Sequence, residues 1–125
     1  MEKMKKLPDA EFAIMKTVWS SEQPITTSDV MRLMGNDREW RIQTVVSLML
    51  RLVERGFLRS EKHGKERTYF STVNREDYLR FETGNFMRQF HDSSFINLVS
   101  TLYDGEAMTD ADLDELLRWA KERRD

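Results

Sequence analysis

Between residues 40 and 55 the chain carries side chains whose types and spacing suit a nucleic acid. With Gln43 at zero on a wheel of about 100° per residue, Gln43, Glu54, Ser47, Arg51, Thr44 and Arg55 share one polar arc, opposite Ile42, Val45, Met49, Leu52 and Val53. Gln pairs bidentately with adenine, and a Thr or Val methyl can meet the thymine methyl, so Gln43, Thr44 and Ser47 are candidate base readers. Val46, at the edge of the arc, offers a second methyl contact. Arg51 and Arg55 lie further along the arc and Arg41 stands at the helix start, positions suited to phosphates rather than base edges. Lys62, Lys65 and Arg67 follow in a short basic hairpin. Glu54 would repel phosphate and belongs at the helix end, turned away. The competing reading is the solvated face of an ordinary amphipathic helix.

Other chemistries find little support. With no cysteine there is no disulfide, thiolate metal site or cysteine nucleophile. His63 and His91, the two histidines, have no spaced carboxylate partner, so no metal site is expected, and a histidine in the hairpin turn faces solvent or phosphate. Asp110-x-Asp112-x-Asp114 has the outline of a calcium loop but puts Glu115 where Gly is needed and Lys121 where the closing Glu belongs. Those acids suit the first turn of a helix. No glycine-rich phosphate loop or nucleophile elbow is present. The expectation is a protein that is not an enzyme and needs no cofactor.

The elements that position the arc follow from periodicity and stop signals. Residues 1–7, with Lys3, Lys5 and Lys6, read as a mobile basic tip. A first helix starts at Asp9 as N-cap, carries Phe12, Ile14, Met15, Val18 and Trp19, and stops at Ser20-Ser21. Pro24-Ile25-Thr26 is a connector. Thr26-Thr27-Ser28-Asp29 has the form of a capping box opening a short second helix that ends at Gly35-Asn36. The third helix, about residues 40–55, is closed by Gly56 at C′. Residues 57–62 and 66–71 then read as two strands joined through His63-Gly64-Lys65. This is the winged helix-turn-helix order, in which the third helix enters the major groove and the hairpin rides on the backbone.

Composition sets the frame. A chain of 125 residues makes one domain, or a small domain with an appendage. No run approaches the ~18 apolar residues of a membrane span, and no apolar signal region follows the Lys-rich start, so no membrane insertion and a cytoplasmic location are expected. The net charge of −2 hides a polarity: residues 1–72 carry 13 Lys and Arg against 10 Asp and Glu, and residues 73–125 carry 7 against 12. The first part can face phosphate.

Three further helices follow. Asn74-Arg75-Glu76-Asp77 opens one that carries Tyr78, Leu79, Phe81, Phe86, Met87 and Phe90; Ser94 to Tyr103 holds Phe95, Ile96, Leu98, Val99 and Leu102. Thr109-Asp110-Ala111-Asp112 caps the last, whose stripe is Leu113, Leu116, Leu117 and Ala120. They hold more apolar side chains than they can hide alone. Pairing with a second copy about a two-fold axis covers them and sets two reading helices roughly 34 Å apart, matching a palindrome. The alternative is that these helices pack on the winged helix of a monomer.

Trp40 through Leu58, with a Trp ahead of Thr44-Val45, Arg51-Leu52 and a closing Gly56, resembles the signature of the penicillinase repressors, the BlaI/MecI/CopY type. Ala10-Glu11-Phe12, Met15, Trp19, Gly64-Lys65, Tyr69 and the Leu-rich end after Thr109 extend the resemblance over nearly the whole chain. It implies a homodimeric repressor of a palindromic operator that in many members is inactivated by a membrane-bound sensor peptidase. Val46 and Leu50 depart from the family, which often has a basic or polar residue at the first place and Thr or Asn at the second; a different operator is implied. The copper branch's cysteine cluster is missing, so copper regulation lacks its soft ligands.

The expected fold is therefore mainly α with a small antiparallel hairpin: a winged helix over residues 1–73 and a helical dimerisation region over 74–125. The expected function is a dimeric repressor that reads double-stranded operator DNA with Gln43, Thr44, Val46 and Ser47. Arg41, Arg51, Arg55, Lys62, Lys65 and Arg67 are its backbone contacts. Phe86, Phe90, Phe95, Ile96, Val99, Leu102, Leu113, Leu116 and Leu117 are the dimer candidates. The alternative function is a winged-helix protein–protein module without operator binding. From the resemblance, cleavage by a sensor peptidase would fall near Ser100-Thr101-Leu102, although the Asn-Phe pair of the resistance repressors is absent there.

Overall fold

The computed structural model describes residues 4–124. Lys3 of the expected basic tip lies outside the described residues, as does Asp125. The chain forms two compact units, residues 1–81 and 82–125.

In the first unit, α1 (Asp9–Trp19) begins behind Pro8, not Asp9: Pro8 holds the N-cap at φ −57° and ψ 154° and makes no side-chain cap bond. Its carbonyl accepts the Phe12 N–H at 2.9 Å, and Asp9 moves into the first turn, where the helix dipole favours its charge. The tip is anchored by its last residue, because Leu7 is buried and its N–H donates to the Tyr78 hydroxyl at 2.8 Å.

The expected connector contains a strand. β1 (Ile25–Thr26) pairs antiparallel with a later strand through Ile25↔Tyr69 and Thr26↔Thr68. Ile25 is buried, and its partner lies more than forty residues away in sequence, beyond any local signal. Thr26 also closes the expected capping box: its Oγ1 accepts the Asp29 N–H at 3.1 Å and Asp29 Oδ2 accepts the Thr26 N–H at 2.9 Å. α2 (Thr27–Val30) opens there and continues as a π-helical turn, Met31–Gly35. The Thr26 backbone N–H holds the Asp29 carboxyl below the usual carboxylate range. Thr26→Ala should cost about 1 kcal/mol, and urea titration would measure it. A carboxylate with a lowered pKa contributes stability above its unfolded value, lost as pH falls through the folded one, so the gap between wild type and Asp29→Asn should close below about pH 3.8.

α3 (Ile42–Glu54) ends in a Schellman motif: the Phe57 N–H donates to Leu52 O at 2.9 Å, the Gly56 N–H to Val53 O at 3.0 Å, and Gly56 takes φ +82°. Its buried face is Val45, Leu48, Met49 and Leu52. Two expected members of that face depart from it: Ile42, the first helical residue, is exposed, and Val53 is half-buried. The core arc is thus centred near Val45 and Leu52, which brings Leu48 inside.

Phe57, read as the first strand residue, is instead buried under the helix end. β2 (Leu58–His63) and β3 (Glu66–Ser71) pair from Leu58↔Ser71 to His63↔Glu66 around the two-residue turn Gly64-Lys65. Gly64 at φ +65° supplies the positive φ a tight hairpin demands. The sheet order is β1-β3-β2, so the hairpin is part of a three-stranded sheet.

The expected division after residue 73 falls within the packing of this unit. α4 (Arg75–His91) opens with Asn74 Oδ1 accepting the Asp77 N–H at 2.8 Å. Three residues on, Tyr78 is 1% exposed, with ring centroids 5.7 Å from Phe12, 5.8 Å from Trp19, 5.4 Å from Phe57 and 6.0 Å from Phe81. This first turn of α4 belongs to the winged-helix core. From Glu82 onward α4 lies in the second unit with α5 (Phe95–Asp104) and α6 (Asp110–Arg124). Ser94 caps α5 by accepting the Asn97 N–H at 3.1 Å, and Thr109 and Asp112 form a second reciprocal box at 2.9 and 3.2 Å.

Candidate nucleic-acid interface

α3 presents Gln43, Thr44, Val46, Ser47 and Arg51 to solvent while Val45, Leu48, Met49 and Leu52 tie it to the core. Arg41 is extended at N-cap (φ −82°, ψ 155°) and makes no side-chain cap. The first helical bonds run from the Thr44 and Val45 N–H groups to Arg41 O at 3.0 and 3.3 Å. The amides of Ile42 and Gln43 therefore lie in an uncapped first turn, which the helix dipole makes attractive to an anion. That turn has no acidic residue, whereas the first turns of α1, α2, α4 and α6 each do. The start of α3 thus carries the Arg41 charge with no carboxylate of its own turn to cancel it.

The wing supplies exposed cations. Lys62, Lys65 and Arg67 are all exposed, and Arg67 Nη1 donates to Ser60 Oγ at 2.8 Å, which fixes the guanidinium along the hairpin. Arg59 was not singled out from sequence. It stacks over Phe70, its cross-strand partner, with the guanidinium 4.1 Å from the ring centroid, and pairs with Glu61 at 2.6 Å. The signal was the hairpin register, which sets an Arg opposite an aromatic. The Arg59 hydrogen bond holds the Glu61 carboxyl below the usual range, so Glu61 keeps a negative charge on the wing. His63 Nε2 lies 3.4 Å from Glu61 Oε2, so the turn histidine faces a carboxylate as well as solvent.

One expected backbone contact is committed elsewhere. Arg55 Nε donates to Glu11 Oε1 at 2.7 Å; the Glu11 side chain is 1% exposed and that of Arg55 37%. A carboxylate buried in α1 needs a counter-charge, and Arg55 at the C-cap of α3 reaches it across the helix pair. Of the six expected backbone residues, Arg41, Arg51, Lys62, Lys65 and Arg67 stand outward and Arg55 is turned to α1.

In the second unit Phe86, Phe90, Phe95, Ile96 and Leu117 are exposed, Leu102, Leu113 and Leu116 are half-buried, and Val99 is buried. Val99 is thus withdrawn from the expected pairing surface by packing within the chain. Trp119, also exposed, joins the apolar set on α6. Ser100, Thr101 and Leu102 lie inside α5, with Thr101 Oγ1 donating to Asn97 O at 2.8 Å. His91 is buried, its Nδ1 2.6 Å from Asn97 Oδ1 and its ring 5.2 Å from Phe86. Among the described residues no three of His, Asp and Glu are gathered for a metal, and no helix is long and apolar enough to cross a membrane.

Comparison with known proteins agrees with this geometry. The family model described as penicillinase repressor matches residues 7–122. The chain is 23% identical over 124 residues to the penicillinase repressor of Bacillus licheniformis, covering 99% of this chain and 96% of that one. It is 24% identical over 110 residues to the methicillin resistance regulatory protein MecI of Mammaliicoccus sciuri, covering 88% and 89%. A solution structure of B. licheniformis BlaI in monomeric form with the blaP half-operator is similar at a TM-score of 0.51 and 29% identity, over 62% of this chain and 94% of that chain.

Proposed function

The chain belongs to the penicillinase repressor family and is a DNA-binding transcriptional repressor, not an enzyme, and from that premise we propose that it acts as a homodimer on a palindromic operator. Each winged helix lays α3 in a major groove, with Gln43, Thr44, Val46 and Ser47 at base edges. Arg41, Arg51, Lys62, Lys65 and Arg67 hold phosphates on either side. The observation that carries this reading is the exposed face of α3, which joins short polar side chains to an uncapped helix start free of acids. A solved relative bound to a half-operator supports the same partner.

The functional division is a DNA-binding part over residues 1–73 and a pairing part over 74–125, with the opening turn of α4 anchored in the first. Phe86, Phe90, Phe95, Ile96, Leu117 and Trp119 are the apolar surface a second copy would cover. The protein works in the cytoplasm, where the operator is. Derepression through a membrane sensor peptidase would cut near Ser100-Thr101-Leu102. Because these residues are helical, that stretch of α5 must open before it can fit an extended-strand protease cleft. Recovery of intact chain from fully induced cells would exclude the cut.

A fluorescence titration against a palindrome selected from random duplexes tests the operator reading. Arg51→Ala and Lys65→Ala should each weaken binding to every sequence and lower the salt slope by about 0.9. Gln43→Ala should instead lose about 1–3 kcal/mol at one base position and relax preference there. A salt slope unchanged in both cation variants would remove these residues from the interface.

A further inference from the structure

α3 carries an exposed row that its polar arc does not explain. Ile42, Val46 and Leu50 follow at four-residue spacing and are 41%, 45% and 55% exposed. On the wheel that sets Gln43 at zero they stand at about −100°, −60° and −20°, so Leu50 lies almost directly above Gln43 along the helix. Each step rises about 6 Å, close to two base-pair steps of about 3.4 Å. The outward face of the helix is thus split lengthwise into a polar half, Gln43, Ser47, Arg51 and Thr44, and an aliphatic half.

Aliphatic groups cannot hydrogen-bond, so they cannot read the donors and acceptors of a base edge. The apolar group that the major groove displays is the C5 methyl of thymine, and burying a methyl against an aliphatic side chain removes both from water. We propose that Ile42, Val46 and Leu50 form a methyl-reading strip, so that each half-operator carries thymines in register with them beside the bases that Gln43 and Ser47 hydrogen-bond. The strip is a specificity determinant and rests on the operator reading above. A second copy of the chain is a poorer occupant. The row is continuous with Gln43 and Ser47 and bracketed by Arg41 and Arg51, and a two-fold contact through it would set like charges together, whereas phosphates complement them.

The test uses the full chain and a labelled palindrome selected from random duplexes, compared with the same duplex carrying deoxyuridine for thymidine, which removes the methyls alone. Wild type should bind the uracil duplex about threefold to fourfold more weakly for each contacted methyl, and at least about tenfold for a half-site with two or more. Val46→Ala with Leu50→Ala should narrow that gap to the roughly threefold to fourfold that the remaining Ile42 can supply. Because the uracil comparison needs no variant, it reads out even where a substitution harms folding. Equal binding of wild type to both duplexes overturns the strip while leaving operator binding intact. Failure to select any preferred duplex removes the operator reading, and the strip with it. A change of oligomeric state in the double variant, with its thymine preference kept, would reassign the row to a protein contact.

Discussion

Replacing Tyr78 by Ala should cost the winged helix about 3–5 kcal/mol, a large share of the roughly 5–15 kcal/mol that holds a domain folded. The ring is 1% exposed and packs among Phe12, Trp19, Phe57 and Phe81, so truncation opens a cavity bounded by four aromatic side chains from three parts of the sequence. It also removes the acceptor of the Leu7 N–H. Tyr78→Phe keeps the ring and removes the hydroxyl, and should cost about 1–2 kcal/mol, because the cavity stays filled while the Leu7 amide loses its acceptor. Urea titration of both variants measures the two contributions. A Tyr78→Ala protein within about 1 kcal/mol of wild type would mean that the opening turn of α4 does not belong to the winged-helix core.

Arg55→Ala should be the second severe change, at about 2–3 kcal/mol, by leaving the Glu11 carboxylate buried without its partner. The cost falls below that of a fully buried pair because the Arg55 side chain is 37% exposed and water can reach the gap. Replacing both partners at once, Glu11→Leu with Arg55→Met, should recover most of the loss, since no buried charge remains. Arg55 and Arg51, one turn apart, separate structure from binding: Arg55→Ala should lower stability and leave the salt slope unchanged, whereas Arg51→Ala should lower the salt slope and leave stability unchanged. A drop in salt slope for Arg55→Ala equal to that for Arg51→Ala would return Arg55 to the phosphate contacts.

These two residues also show where sequence reasoning reaches and where it stops. Features fixed within a turn or two were legible. Gly56 ends α3, Thr26 and Asp29 cap α2, Thr109 and Asp112 cap α6, and the hairpin turns at Gly64-Lys65, because each is a contact between near neighbours. The polar arc was legible for the same reason, since helical periodicity is local. Contacts between distant residues were not. Ile25 becomes a strand only because Tyr69 is there to pair with it, and Arg55 looked like a phosphate contact because nothing near it reveals Glu11, forty-four residues away. The place of Tyr78 on α4 groups it with the C-terminal helices, yet its packing is set by residues of α1 and the end of α3. The wheel angle of Ile42 points inward, yet as the first helical residue it stands exposed at the helix start, the exposure on which the proposed aliphatic strip rests.

In the proposed complex two copies of one reading helix meet two half-sites. The most direct measurement is the affinity of the full chain for three duplexes: the selected palindrome, one isolated half-site, and the palindrome with about five base pairs inserted at its centre, which turns the second half-site to the opposite face. A dimer should bind the first tightly and the other two at least about a hundredfold more weakly, because the second helix no longer adds its contacts. Equal affinity for all three, at low salt and at high, would contradict that complex.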